Sequence, residues 1–223
     1  MDRSNTVIVI PAYNEENTIQ TVIEDISIYG DVIIVNDSST DNTAEIAKDS
    51  GAIVLTHETN KGYESALSSG VSYAADNNYD YIITADADGE LLPCGVPSVL
   101  SLLQNNADIV VGIRSKKNRL IEQVFGFLSF LLLKDHIIDP LCGMKGYSKK
   151  LYDIYGLFDT RKMIGTELLA YAIRDKLTVK QVSIDICKRE GDSRYGNSLK
   201  SFIKICRTIL LFFIIVYSKK KRI

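Results

Sequence analysis

Val7-Ile8-Val9-Ile10 is an unbroken apolar run that stops at Pro11. Four apolar residues with no polar alternate predict a strand buried on both faces, as in a parallel sheet. Ile19, Val22, Ile23 and Ile26 follow at i, i+3, i+4 and i+7, the spacing of one helix face. Residues 31–35 read as a second strand. Ser38-Ser39-Thr40-Asp41 offers N-cap candidates for a helix reaching about Lys48. Residues 52–55, 81–84 and 109–111 read as three more strands. Ala66, Leu67, Gly70, Val71, Ala74 and Ala75 mark the helix between the third and fourth.

Strands alternating with helices imply right-handed crossovers and an α/β fold: a Rossmann-like, mostly parallel central sheet flanked by helices. After residue 115 the pattern loosens. It predicts an apolar helix over 119–134, a loop at Asp139-Pro140, a helix over 166–174, a strand over 178–187 and a final helix from about 197. No repeat or low-complexity linker divides the chain, so a single domain over 1–223 is expected.

Charge changes the picture at the C-terminus. From Lys188 onward there are ten Lys or Arg against Glu190 and Asp192, although the whole chain is −2. A basic tail on an acidic body favours an anionic surface. Aliphatic neighbours and few aromatics favour lipid over nucleic acid there. The apolar runs 124–133 and 208–217 would each reach only about 15 Å as helices, half a bilayer core. They suit an interfacial position or a buried core helix, and the second leads to Lys219-Lys220-Lys221-Arg222. The four cysteines are widely spaced, so reduced thiols are expected. The N-terminus has no apolar signal core.

Polar segments sit after the predicted strands, where α/β sheets bind ligands. They are Pro11-Ala12-Tyr13-Asn14-Glu15, Asn36-Asp37-Ser38-Ser39, Asn60-Lys61-Gly62, Asp86-Ala87-Asp88-Gly89-Glu90 and Gly112-Ile113-Arg114. A lone D-x-D is common in acidic turns; its place directly after a buried strand sets this one apart. Residues i and i+2 of an extended chain point the same way, so Asp86 and Asp88 would repel without a cation between them. Mg²⁺ or Mn²⁺ takes one or two carboxylates plus substrate phosphates, and Glu90 offers a third oxygen. Lys61 at the head of the third helix suits a diphosphate. Arg114, Arg189 and Arg194 each suit a phosphate clamp. No G-x-G-x-x-G, P-loop or G-x-S-x-G is present, and His57 and His136 are isolated.

Together these segments resemble family 2 glycosyltransferases of the GT-A fold, nearest the dolichol- or polyprenol-phosphate sugar synthases. Asp139-Pro140-Leu141-Cys142-Gly143 and Arg189-Glu190-Gly191-Asp192-Ser193-Arg194 extend the match to about residue 200. The resemblance implies a nucleotide-sugar half over about 1–115, an acceptor half over about 116–196 and a basic apolar helix over about 197–223. Pro11, Ala12, Tyr13, Glu15 and Asp37 would hold base and ribose of a UDP- or GDP-sugar. Lys61, Gly62, Asp86 and Ala87 would flank ribose and diphosphate. Asp86, Asp88 and Glu90 would hold the metal, Asp88 being catalytic. Arg189 would cover the diphosphate, and Arg114 and Arg194 would face an anionic acceptor. Three positions depart from the family pattern: Asn36 before Asp37 where two carboxylates are usual, Glu90 where Gln is common, and Gln123 where the synthases tend to carry arginine.

The acceptor divides two mechanisms. A polyprenyl phosphate is already anionic at neutral pH and needs cations, with Arg114 and Arg194 as candidates. A glycan hydroxyl needs a base, and Glu167 stands where hydroxyl-directed relatives carry one. Both imply an inverting displacement at the cytoplasmic face of a membrane, with the enzyme held peripherally. The rivals are a non-catalytic nucleotide-sugar or lipid-binding module, against which Asp86, Asp88 and Arg114 argue, and a nucleotidyltransferase, which would carry a Gly-rich basic loop after the first strand.

Overall fold

The computed structural model describes residues 5–89, 93–115, 120–133, 137–186 and 199–219. Their elements in order are β1 (Thr6–Ala12), α1 (Ile19–Ile26), β2 (Asp31–Asn36), α2 (Thr43–Asp49), β3 (Ile53–Thr56), α3 (Tyr63–Asp76), β4 (Tyr81–Thr84) and α4 (Gly95–Gln104). There follow β5 (Ile109–Arg114), α5 (Leu120–Leu132), β6 (Lys145–Ser148), α6 (Lys149–Tyr155), α7 (Glu167–Arg174), β7 (Val179–Ile184) and α8 (Leu199–Tyr217). The seven strands form one sheet in the order β3-β2-β1-β4-β6-β5-β7. All pairings are parallel except those of β6, which runs antiparallel between β4 and β5.

Period-2 alternation divides the core. Val7, Val9, Ile33 and Val35 face α3 and the α7–α8 side. Ile8, Ile10, Val32 and Ile34 face α1 and α4 on the other. Both sets are buried, which is why the first strand reads as continuously apolar. Helix α3 lies close on β1: a Cβ at Gly70 would meet Val9 Cγ1 at 2.4 Å.

Three elements go beyond the sequence reading. Helix α4 carries Val96, Val99, Leu100 and Leu103 toward the core, an i, i+3, i+4, i+7 set. Strand β6, Lys-Gly-Tyr-Ser, is too short and too polar to announce itself. Helix α6 begins where Ser148 Oγ accepts from Leu151 N–H and ends at left-handed Gly156. The start of α2 also moves: Asp41 accepts from Thr43 N–H, and the helix begins at Thr43.

Helix α8 buries Ile205, Thr208, Phe212 and Ile215, with Phe212 edge-on to Phe125 of α5 at 5.2 Å between centroids. Tyr217 donates its O–H to the Leu132 carbonyl, joining the ends of the two helices. Their outer faces expose Leu120, Phe127, Phe130 and Leu131 on α5, and Phe202, Ile203, Leu210 and Ile214 on α8. Among the described residues no helix is long and apolar enough to cross a membrane.

Candidate active site

The chemistry gathers beyond the carboxyl ends of β1, β2 and β4. The turn after β1 is pinned from several directions. Asn14, at φ 53, gives its N–H to Ser39 Oγ and accepts from Thr40 N–H. Glu15 N–H reaches Thr43 Oγ1, and Thr18 Oγ1 donates to the Ala87 carbonyl at 2.8 Å. The loops after β1, β2 and β4 thus form one body.

Asp37 is buried at the end of β2. Its carboxylate accepts the backbone N–H of Lys61 at 2.9 Å and of Gly62 at 2.7 Å, and His57 Nδ1 lies 2.7 Å away. His57 Nε2 in turn meets Ser69 Oγ at 2.9 Å. Asp37 therefore shapes the loop that leads into α3. Gly62, at φ 90, makes the turn that a side chain would strain. A cavity of roughly 210 Å³ opens here. Pro11, Ala12 and Tyr13 form one side and Asp37, Asn60 and Gly62 another, with Tyr63 and Ala66 of α3 and Lys204 of α8 completing the wall. Lys61 is exposed beside it.

Tyr63 joins the cavity to the D-x-D segment, donating its O–H to Asp86 Oδ1 at 3.0 Å. Burial pushes the Asp86 carboxyl up to about 6, and the Asp88 carboxylate adds to the rise. The Tyr63 bond and the charges of Arg114 and Lys145 pull the other way. One carboxylate raising the other is what a cation between them relieves. Asp88 is buried, 8% exposed. Among the described residues no three His, Cys, Asp or Glu cluster as a metal cage. Two carboxylates suit a Mg²⁺ or Mn²⁺ that shares its coordination with phosphates. Glu90, expected as a third ligand, lies outside the described residues, as do Arg189 and Arg194.

Arg114, expected to face an anionic acceptor, sits between two buried carboxylates. Its guanidinium binds Asp139 through Nε at 2.8 Å and Nη2 at 3.0 Å, and Glu122 at 3.3 Å. Burial disfavours its charge, but the Asp139 bonds outweigh this and lift its pKa above the ordinary arginine value. With two carboxylates around it, the guanidinium organises the loop at Asp139. That loop sets Gly143 against Asp86. Lys145, buried beside them, donates to the Cys142 carbonyl at 2.6 Å, and burial lowers its pKa.

Glu167 is likewise enclosed. It accepts from Thr160 Oγ1, Arg161 N–H and Tyr171 O–H and pairs with Arg161 Nε at 3.2 Å, with its side chain fully buried. Sequence reasoning missed Tyr63, Lys145 and Lys204. Tyr63 directly follows the Asn60-Lys61-Gly62 segment, whereas Lys204 lies far along the chain in the final helix.

Residues 7–155 match the profile of glycosyl transferase family 2. The chain belongs to that family. This glycosyltransferase is 28% identical to the UDP-N-acetylglucosamine–dolichyl-phosphate N-acetylglucosaminyltransferase of Methanococcus voltae, over 92% of this chain and 94% of the relative. It is 29% identical to the dolichyl-phosphate hexose transferase of Haloferax volcanii, over 89% and 92%. Its fold is that of GT-A glycosyltransferases. Glucosyl-3-phosphoglycerate synthase from Mycobacterium tuberculosis, solved with Mn²⁺ and UDP-glucose, superposes with a TM-score of 0.72 at 22% identity, covering 95% of this chain and 78% of that one.

Proposed function

We propose that this glycosyltransferase moves a sugar from a UDP- or GDP-sugar to a polyprenyl phosphate, inverting the anomeric carbon. The observation that carries the reading is the link from the cavity through Tyr63, one of its lining residues, to Asp86 of the D-x-D pair. A base and ribose fit against Pro11–Tyr13 and Asp37, and the diphosphate then lies toward the paired carboxylates. Asp86 and Asp88 would hold Mg²⁺ or Mn²⁺, which neutralises charge on the leaving diphosphate. Tyr63 orients Asp86, and Gly143 leaves room for its carboxylate. The acceptor oxygen forms its bond to the anomeric carbon on the face opposite the breaking bond to diphosphate.

Glu167 favours the phosphate acceptor over a glycan hydroxyl. A buried carboxylate already paired with Arg161 is poorly placed to take a proton from a hydroxyl, whereas a phosphate acceptor needs no base. The names of the archaeal relatives point the same way. The exposed apolar rows of α5 and α8, followed in sequence by four basic residues, suit peripheral seating on an anionic, cytoplasmic leaflet.

The test incubates the protein with Mn²⁺ and a panel of nucleotide sugars, with and without polyprenyl phosphate. Nucleotide release with a matching glycolipid, abolished by excess chelator and by Asp88→Asn, is expected. Transfer to a glycan hydroxyl with no glycolipid would overturn the acceptor assignment.

A further inference from the structure

Lys204 comes from the C-terminal helix, far along the chain from the other residues of the cavity wall, and it is the one cation among the described lining residues. Its side chain is 30% exposed, and its ammonium lies 2.5 Å from Glu64 Oε1 in the first turn of α3. Glu64 is buried, 3% exposed, so the lysine is drawn to one place at the rim of the cavity. Tyr63, the neighbour of Glu64, is the residue that binds Asp86.

A nucleoside diphosphate is polyanionic, and the described wall is acidic: Asp37, Glu64, Asp86 and Asp88 all lie on or near it. Of the cations expected from the sequence, Lys61 and Arg114 lie among the described residues. Lys61 is exposed and is not among the residues that line the cavity, and Arg114 is engaged by Asp139 and Glu122. Lys204 faces the cavity with a flexible stem and a compact charge suited to phosphate oxygens.

We propose that Lys204 is a donor-binding residue that pairs with the diphosphate of the nucleotide sugar, making the C-terminal helix a wall of the donor site. Glu64 orients the ammonium before binding and yields it to the phosphates. The inference rests on the donor reading above and names a residue that reading does not include.

Calorimetry on the full chain with Mn²⁺ tests it, using UDP, GDP and the matching nucleosides against wild type, Lys204→Met, Lys204→Arg and Glu64→Gln. For whichever diphosphate the wild type binds, Lys204→Met is expected to weaken binding about tenfold or more, as befits a charged hydrogen bond. Nucleoside affinity stays within about twofold, Lys204→Arg restores most of the loss, and Glu64→Gln binds at least as well as wild type. Equal diphosphate affinity in wild type and Lys204→Met overturns the inference and leaves the donor reading standing. Equal losses for nucleoside and diphosphate mean that Lys204 acts through the fold, which also overturns it. A wild type that binds neither UDP nor GDP removes the donor reading itself.

Discussion

Gly143 lies directly against the carboxylate of Asp86: a Cβ there would come within 2.0 Å of Asp86 Oδ2. The contact follows from the antiparallel β4–β6 register, which ends with Thr84 opposite Lys145; the same offset continued past the strand ends sets Asp86 opposite Gly143. Gly143→Ala should therefore displace Asp86 rather than unfold the sheet. A misplacement of about 1 Å at a reacting centre costs on the order of 10²-fold in rate. We expect sugar transfer to fall by about that factor while the circular dichroism spectrum is retained. Near-normal transfer would mean that Asp86 tolerates the shift and is not a positioned ligand.

Arg114 tests the buried ion-pair cluster. Removing it leaves Asp139 and Glu122 buried without their cation, and breaking such a pair typically costs about 3–5 kcal/mol. Arg114→Ala should lower the melting temperature sharply. Adding Asp139→Asn should recover part of that loss, since the stranded charge is removed. If Arg114→Ala melts like wild type and only weakens the lipid phosphate, the guanidinium serves the acceptor instead.

Asp159 gives a pH dependence. Burial pushes its carboxyl up to about 6, with Glu64 and Glu167 adding to the rise against the N–H bonds from Met163 and Gly165. A carboxyl raised in the folded state contributes stability that is complete below its unfolded pKa of about 4 and is lost as pH rises through about 6. The difference amounts to roughly 3 kcal/mol. Between pH 4 and 7 the wild-type unfolding free energy should thus fall relative to that of Asp159→Asn. Parallel curves for the two proteins would contradict the assignment.

The outer face of α5 offers a test of membrane seating that spares the core. Phe127 and Leu131 are 63% and 64% exposed. Replacing both with Glu should change the melting temperature little and abolish flotation with anionic liposomes. Undiminished flotation would place the contact elsewhere.

Much of the first half of the fold was legible because β1 and most of β2 are buried on both faces and α1 and α3 carry periodic apolar faces. The exceptions have physical reasons. Helix α4 had a readable pattern at Val96, Val99, Leu100 and Leu103, but Pro93 and Pro97 masked its start. Strand β6 is held by pairing with β4 and β5 rather than by strand propensity, and Gly146 lets α4 pack closely on it. In the candidate site, the positions of Asp86, Asp88 and Asp37 just after strands were legible. What those residues touch was not. The pairing of Arg114 with Asp139 and Glu122, the enclosure of Glu167 and the approach of Lys204 to Glu64 all span loops or helices whose packing only the folded chain reveals.

The insertion of β6 has a consequence for how the protein is made. Strand β5 pairs with β6 and β7, both of which come later in the chain, and the second edge of β4 is also covered by β6. A chain emerging from the ribosome as far as residue 144 would hold β1 to β4 with β4 bare on the side that β6 later covers, and β5 with no sheet neighbour. The strand that leads to Asp86 thus waits, half covered, for residues made well after it. Bare edges invite pairing with other chains. Lesions in the short β6 segment should therefore show themselves first as aggregation during synthesis, before any defect in catalysis could be measured.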